Sequence, residues 1–195
     1  YFRDQGMNVS LILDSLTRYA MGQREIGLAA GEPPTSKGYP PSVFKLLPEF
    51  FERAGSNEKG TITGFFTILV ESDDIDDTIA DAARALTDGH IVLSRDLGRK
   101  GLYPPIDILS SVSRVDKDVA DQEKIELARR FLELYSTYEK YSDMIAIGAY
   151  EKGSDETIDR AVELKPHLDA FLTQNLEESV SPEATFAQLE EILST

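Results

Sequence analysis

The run Val9-Ser10-Leu11-Ile12-Leu13, closed at once by Asp14, most limits what this chain can fold into. Its aliphatic character reads as a buried parallel strand. A helical period starts immediately after it with Leu16, Tyr19, Ala20 and Gln23. In open α/β sheets the residue between such a strand and helix lies at the carboxyl edge, where ligands bind. A carboxylate there suits Mg²⁺ held beside nucleotide phosphates. It equally suits an N-cap for the following helix, which needs no ligand. Both readings of Asp14 stand at this level.

The rest of the chain supports an α/β segment followed by a helical one. The first helix is expected to end near Leu28, at Gly31-Glu32-Pro33-Pro34-Thr35-Ser36-Lys37-Gly38-Tyr39-Pro40-Pro41. Four prolines and two glycines there forbid a regular element. A second helix is expected over residues 42–54, with Ser42 as N-cap and Val43, Phe44, Leu47, Phe50 and Phe51 on one side. Residues 61–70, β-branched and aromatic, form the best strand candidate. After them comes the acidic run Glu71-Ser72-Asp73-Asp74-Ile75-Asp76-Asp77. It reads as a solvated loop with Asp76 or Asp77 starting a helix over 78–86; its spacing lacks the EF-hand pattern. Short strands are expected at 90–93 and from 106. Beyond about residue 116 the apolar residues recur at helical spacing: Ala128, Phe131, Leu132, Tyr135 and Tyr138, continued over 143–149, then Ala161, Leu164, Leu168, Phe171 and Leu172. Ser154 or Asp155 is the expected N-cap of the later helix, and a last helix is expected over 183–193.

A formal charge of −15 argues against sequence-independent binding of nucleic acid, which needs a basic footprint. With no cysteine, disulfides, thiolate catalysis and cysteine-ligated metal centres are excluded. No apolar run approaches the length of a membrane span. The G-x-x-x-x-G-K-[ST] phosphate loop, the G-x-S-x-G elbow and the H-E-x-x-H zinc motif are all missing from the 195 residues. His90 reads as a structural residue and His167 as a surface one.

Asp14, Arg18, Tyr103 and Arg114 remain as candidates for chemistry. Arg114 emerges from Ile108-Leu109-Ser110-Ser111-Val112-Ser113. A guanidinium there can close a salt bridge within the fold, or reach across a subunit interface to a transferring phosphoryl group. Tyr103-Pro104-Pro105 offers a rigid aromatic that can pack on a flat base or simply end a turn.

The run Leu13-Asp14-Ser15-Leu16-Thr17-Arg18-Tyr19-Ala20-Met21-Gly22-Gln23-Arg24-Glu25-Ile26-Gly27 closely resembles the Walker-B region of the flagellar and type III secretion export ATPases. The resemblance continues in order through Gly31-Glu32-Pro33-Pro34, Phe51-Glu52-Arg53-Ala54-Gly55 and Leu69-Val70-Glu71-Ser72-Asp73-Asp74. It then runs on through Asp88-Gly89-His90-Ile91-Val92-Leu93-Ser94-Arg95, Tyr103-Pro104-Pro105-Ile106-Asp107 up to Arg114, and Ile147-Gly148-Ala149-Tyr150-Glu151-Lys152-Gly153-Ser154.

This resemblance implies a rotary-ATPase catalytic subunit. Residues 1–115 would be the later half of a RecA-like α/β domain and residues 116–195 an all-α C-terminal domain, assembled as a homohexamer that hydrolyses ATP with Mg²⁺. By position, Asp14 would hold Mg²⁺ through water, and Arg18 would order the carboxylates and water around the phosphates. Tyr103 and Phe171 would pack on adenine, and Arg114 would be an arginine finger for the neighbouring subunit's nucleotide. Residues 73–77 match the segment where F-type subunits meet their central shaft, and residues 150–156 match their lever. The partners implied are a central stalk, a peripheral stator or regulator, and export chaperone–substrate complexes, at the cytoplasmic face of the inner membrane beside the export gate.

The chain departs from the F-type pattern at Glu151-Lys152-Gly153-Ser154, which is mixed in charge rather than strongly acidic, and at Leu176, where an aromatic is expected. An F- or V-type subunit is the related alternative, and a non-catalytic docking module is the alternative for these residues alone. The chain opens on Tyr1, and Asp14 comes early for a complete α/β domain. The expectation is therefore a piece whose phosphate loop and general-base glutamate precede it, inactive by itself.

Overall fold

Strands β1 (Asn8–Leu13) and β2 (Thr61–Phe66) pair in parallel, in register from Asn8 opposite Thr61 to Leu13 opposite Phe66. The computed structural model describes residues 1–70 and 77–194. The acidic-loop reading of residues 71–76 therefore lies outside the described residues. Between the two strands run α1 (Leu16–Ala29) and α2 (Pro41–Phe51), and α3 (Thr78–Leu86) follows. Together they make one compact unit, Tyr1–Thr87.

Its core forms because each helix carries an apolar stripe at four-residue steps. Leu16 and Ala20 come from α1, Val43, Leu47 and Phe51 from α2, and Ile79 and Ala83 from α3. Tyr39, from the proline-rich loop, completes it, with the Arg24 guanidinium 5.6 Å from its ring centroid. Gly27 makes this closure possible, since a Cβ there would lie 2.7 Å from Pro40 Cγ.

Two expectations change here. The second helix begins at Pro41, not Ser42. Proline at the first helical position has no N–H to satisfy, and the Ser42 amide donates to the Glu32 carboxylate at 3.2 Å. The first strand is parallel as expected but, with these 195 residues alone, not buried: Ser10, Leu11 and Ile12 are exposed, while Val9 and Leu13 are half-buried. Only Leu13 of this strand packs against the helical core, and a two-stranded sheet leaves its other face to solvent. At the start of α3 the expectation holds, with Asp77 accepting from the Ile79 and Ala80 amides.

The second compact unit is Asp88–Thr195. Strands β3 (Gly89–Leu93) and β4 (Ile106–Ser113) are antiparallel, with α4 (Arg95–Arg99) between them. Then come α5 (Asp116–Val119), α6 (Gln122–Ala146), α7 (Glu156–Leu172) and α8 (Pro182–Ser194). The compact units divide at Thr87, whereas the change to purely helical sequence falls near residue 116. The reason is that Ile108 of β4 packs into the helical core of Phe131, Tyr135, Leu164, Leu168, Leu189 and Leu193. The α6 stripe is narrower than its sequence suggests, because Leu132 is exposed. Arg130 and Arg160 both donate to the Leu193 carbonyl, at 3.2 and 2.8 Å, meeting an acceptor that the end of α8 leaves open. Among the described residues no helix is long and apolar enough to cross a membrane.

Tyr135 sits in this core, with the Lys165 ammonium 5.0 Å from its ring centroid. Burial first, then the carboxylates of Asp169, Glu139 and Asp107, push its phenol up to about 12. The unfolded phenol titrates near 10. The native state therefore keeps a proton that the unfolded chain loses, and the stability present below pH 10 drains away toward pH 12. Tyr135→Phe should remove that component. Denaturant unfolding at pH 9 and pH 11 should show wild type losing about 1 kcal/mol more than the variant over this interval.

Candidate functional site

Asp14 follows the last residue of β1, and its neighbour Ser15 does the capping. The Ser15 hydroxyl, 2% exposed, accepts from the Arg18 amide at 3.3 Å and starts α1. The cap alternative for Asp14 is thereby corrected, because the cap position belongs to the residue directly before the first helical one. The Asp14–Ser15 peptide is cis.

The Asp14 carboxylate is exposed, and its Oδ1 accepts from the Thr67 hydroxyl at 2.7 Å. Thr67 continues from β2 and completes the junction with its backbone. Its amide donates to the Leu13 carbonyl at 3.0 Å, and its carbonyl accepts from the Leu16 amide at 2.9 Å. The Thr17 hydroxyl accepts from the Leu69 amide at 2.9 Å, tying the first turn of α1 to the same segment. Sequence reasoning missed Thr67, which it left inside a strand running to residue 70. Strand β2 ends at Phe66, so Thr67 makes the last bond to β1 and stands at the carboxyl edge, where its hydroxyl meets Asp14.

Arg18 is exposed on that first turn, four residues from Asp14. The donors at this edge are hard oxygens, which suit Mg²⁺. No group of three or more acidic, histidine or cysteine side chains gathers among the described residues. One exposed carboxylate oriented by a hydroxyl can serve an ion that keeps most of its water ligands, as Mg²⁺ does.

Tyr103, Phe171 and Arg114 belong to the second unit. Tyr103 is exposed ahead of a cis bond to Pro104, in the connection that α4 opens. That connection is closed by the Ser94 amide donating to the Pro105 carbonyl at 2.8 Å. The Tyr103 carbonyl accepts from the Gln174 amide at 2.7 Å, which brings its turn to the segment following α7. Phe171, near the end of α7, is half-buried with its ring centroid 5.4 Å from that of Phe131. Leu176 is fully exposed in the same segment. Arg114 stands just past β4, exposed, with its amide donating to the Asp88 carbonyl at 2.8 Å. His90 Nε2 lies 3.2 Å from the Ser110 carbonyl oxygen, a contact within the β3–β4 pair, and His167 is exposed on α7.

Two family profiles match the chain. The ATP synthase alpha/beta family, nucleotide-binding domain, matches residues 1–113, and the T3SS EscN ATPase C-terminal domain matches residues 120–191. The flagellum-specific ATP synthase of Helicobacter pylori is 54% identical over 195 residues, covering 99% of this chain and 45% of that protein. The assembled ATPase EscN from the enteropathogenic E. coli type III secretion system superposes with a TM-score of 0.96 at 43% identity, over 99% of this chain and 47% of its own. EscN in complex with its central stalk EscO gives 0.90 at 41% identity, over 99% and 46%. The chain thus spans about half the length of these relatives.

Because Ser15 caps α1 and Asp14 does not, the two neighbours should answer differently to mutation. Ser15→Ala should lower stability by about 1 kcal/mol, the usual worth of a lost cap. Asp14→Asn keeps an acceptor for Thr67 and should change stability by less than about 0.5 kcal/mol. Denaturant midpoints of the two full-length variants measure this, and an equal loss in both would return Asp14 to a structural role.

Proposed function

This chain belongs to the ATP synthase alpha/beta family, and from that premise we propose that it works as part of an ATPase energising protein export through a flagellar or type III secretion apparatus. The observation that carries the reading is the division of labour between Ser15 and Asp14. The helix takes its cap from Ser15, so the Asp14 carboxylate is left at the carboxyl edge of a parallel pair, oriented by the Thr67 hydroxyl.

In this reading Asp14 holds the water shell of Mg²⁺ on bound ATP. The ion, when bound, neutralises charge on the β- and γ-phosphates. Arg18, on the adjoining turn, orders the carboxylates and water around those phosphates. Tyr103 and Phe171 offer their ring faces to the adenine, and the Gln174 amide ties the segment after α7 to the Tyr103 turn. Arg114 reaches the nucleotide of the next subunit, where a fixed guanidinium stabilises charge on the transferring phosphoryl group. The phosphate-binding loop that this scheme needs is not among the 195 residues, and the proposal assigns it to the half of the relatives' length that the chain does not span.

The assembly proposed is a homohexamer around a central stalk, by likeness to the EscN structures. A peripheral stator and export chaperone–substrate complexes would be its further partners. It would act at the cytoplasmic face of the inner membrane beside the export gate.

The test uses the full-length protein. Arg114→Ala should lower kcat by about 10³ or more while nucleotide binding and ring assembly persist. Rings mixed from Arg114→Ala subunits and subunits with an inactivated phosphate loop should recover part of the activity. Loss of nucleotide binding in step with kcat, or no recovery in properly mixed rings, would remove Arg114 from this role.

A further inference from the structure

The turn joining α6 to α7 is held by one carboxylate from the helix that follows it. Asp159 Oδ1 accepts from the Tyr150 phenol at 2.8 Å, and its Oδ2 accepts from the Gly153 amide at 2.7 Å. The Tyr150 hydroxyl also lies 3.0 Å from the Asp155 carbonyl oxygen, and the Ser154 hydroxyl donates to the Glu151 carbonyl at 2.7 Å.

Helix α7 does not need Asp159 for its own start, because the Asp155 side chain already accepts from the Thr157 and Ile158 amides. Both oxygens of Asp159 instead reach back to residues six and nine positions earlier. The turn's other bonds, from the Ser154 amide and hydroxyl to the Glu151 carbonyl and from Tyr150 to the Asp155 carbonyl, lie within residues 150–155, so Asp159 is what ties it to the body of α7. Gly148 and Gly153 adopt positive φ, 72° and 93°, and residues 146–149 and 151–157 are exposed.

Further along the hairpin a second fastening joins the two helices. Lys165 donates to both Asp169 oxygens at 2.7 Å, and its ammonium lies 5.0 and 4.8 Å from the Tyr135 and Tyr138 ring centroids of α6. The stem is therefore tied across its helices, and the turn is tied to α7. Ile147, 79% exposed, stands at the tip with Glu151 and Lys152.

We propose that Asp159 is a positioning residue that latches the 150–154 turn onto α7. A partner pressing on the tip then moves α7 and its core as one body, and the load is not absorbed by a slack loop. The partner, a protein stalk in the ring's centre, rests on the function proposed above; the latch itself does not.

Asp159→Ala tests it in the full-length protein, because it removes both acceptor oxygens at once. Hydrogen exchange should show the Gly153 amide exchanging at least about tenfold faster in this variant than in wild type. Basal ATPase turnover should be unchanged, while the stimulation of turnover by added stalk protein should fall by half or more. A purely structural Asp159 would instead lower basal and stimulated turnover together, which overturns the proposal. Unchanged Gly153 exchange overturns it as well, and so does full stimulation despite faster exchange. Should wild type lack ATPase activity, the export-motor reading fails, and the latch is judged on Gly153 exchange alone.

Discussion

One threonine closes the junction on which the first unit depends. Thr67 gives its amide to Leu13, takes the Leu16 amide on its carbonyl, and gives its hydroxyl to Asp14. Strand end, helix start and carboxylate are thereby fixed by groups of a single residue 53 positions away from Asp14. Ser15 then satisfies an amide at the helix start, so Asp14 has no capping duty. The exposed carboxylate is what the packing of its neighbours leaves over, and this gives a physical reason to look for a ligand there.

The helical unit uses charge differently. Its core is apolar and ordinary, but the groups at its boundaries are bound by ions placed at helix ends and crossings. Arg130 and Arg160 converge on the last turn of α8, Lys165 bridges α6 and α7 through two aromatic faces, and Asp159 gathers the turn between them. Surface pairs such as Arg129 with Glu126 and Glu133, all exposed along α6, contribute little by comparison. Position, more than the number of charges, separates the two groups.

Much of this architecture was legible from local signals. The switch at Leu13–Asp14–Leu16 from strand-like to helical spacing marked the junction to within two residues. The caps of α3 and α7 were legible to one of two neighbours, Asp76 or Asp77 and Ser154 or Asp155, and the structure gives the role to Asp77 and Asp155. The reading failed where a distant partner overrode the local preference. Ser42 looked like a cap, but Pro41 begins the helix and Glu32 binds the Ser42 amide from ten residues away. Phe171 was read from resemblance as a base-packing ring, and the structure adds its contact with Phe131, which links that end of α7 to the core.

By itself the sequence determined most of the longer elements, their order, and the strand-to-helix junction at which Asp14 stands. These follow from periodicity and from the backbone needs of strands and helix ends, which act over a few residues. Only the tertiary structure decided which of two adjacent polar residues caps α1, which hydroxyl orients Asp14, and which carboxylate latches the α6–α7 turn. Those choices were closed to the sequence because Asp14 and Ser15 have nearly equal capping preference. What separates them is a hydrogen bond to a residue brought close by strand pairing, and local composition carries no trace of it.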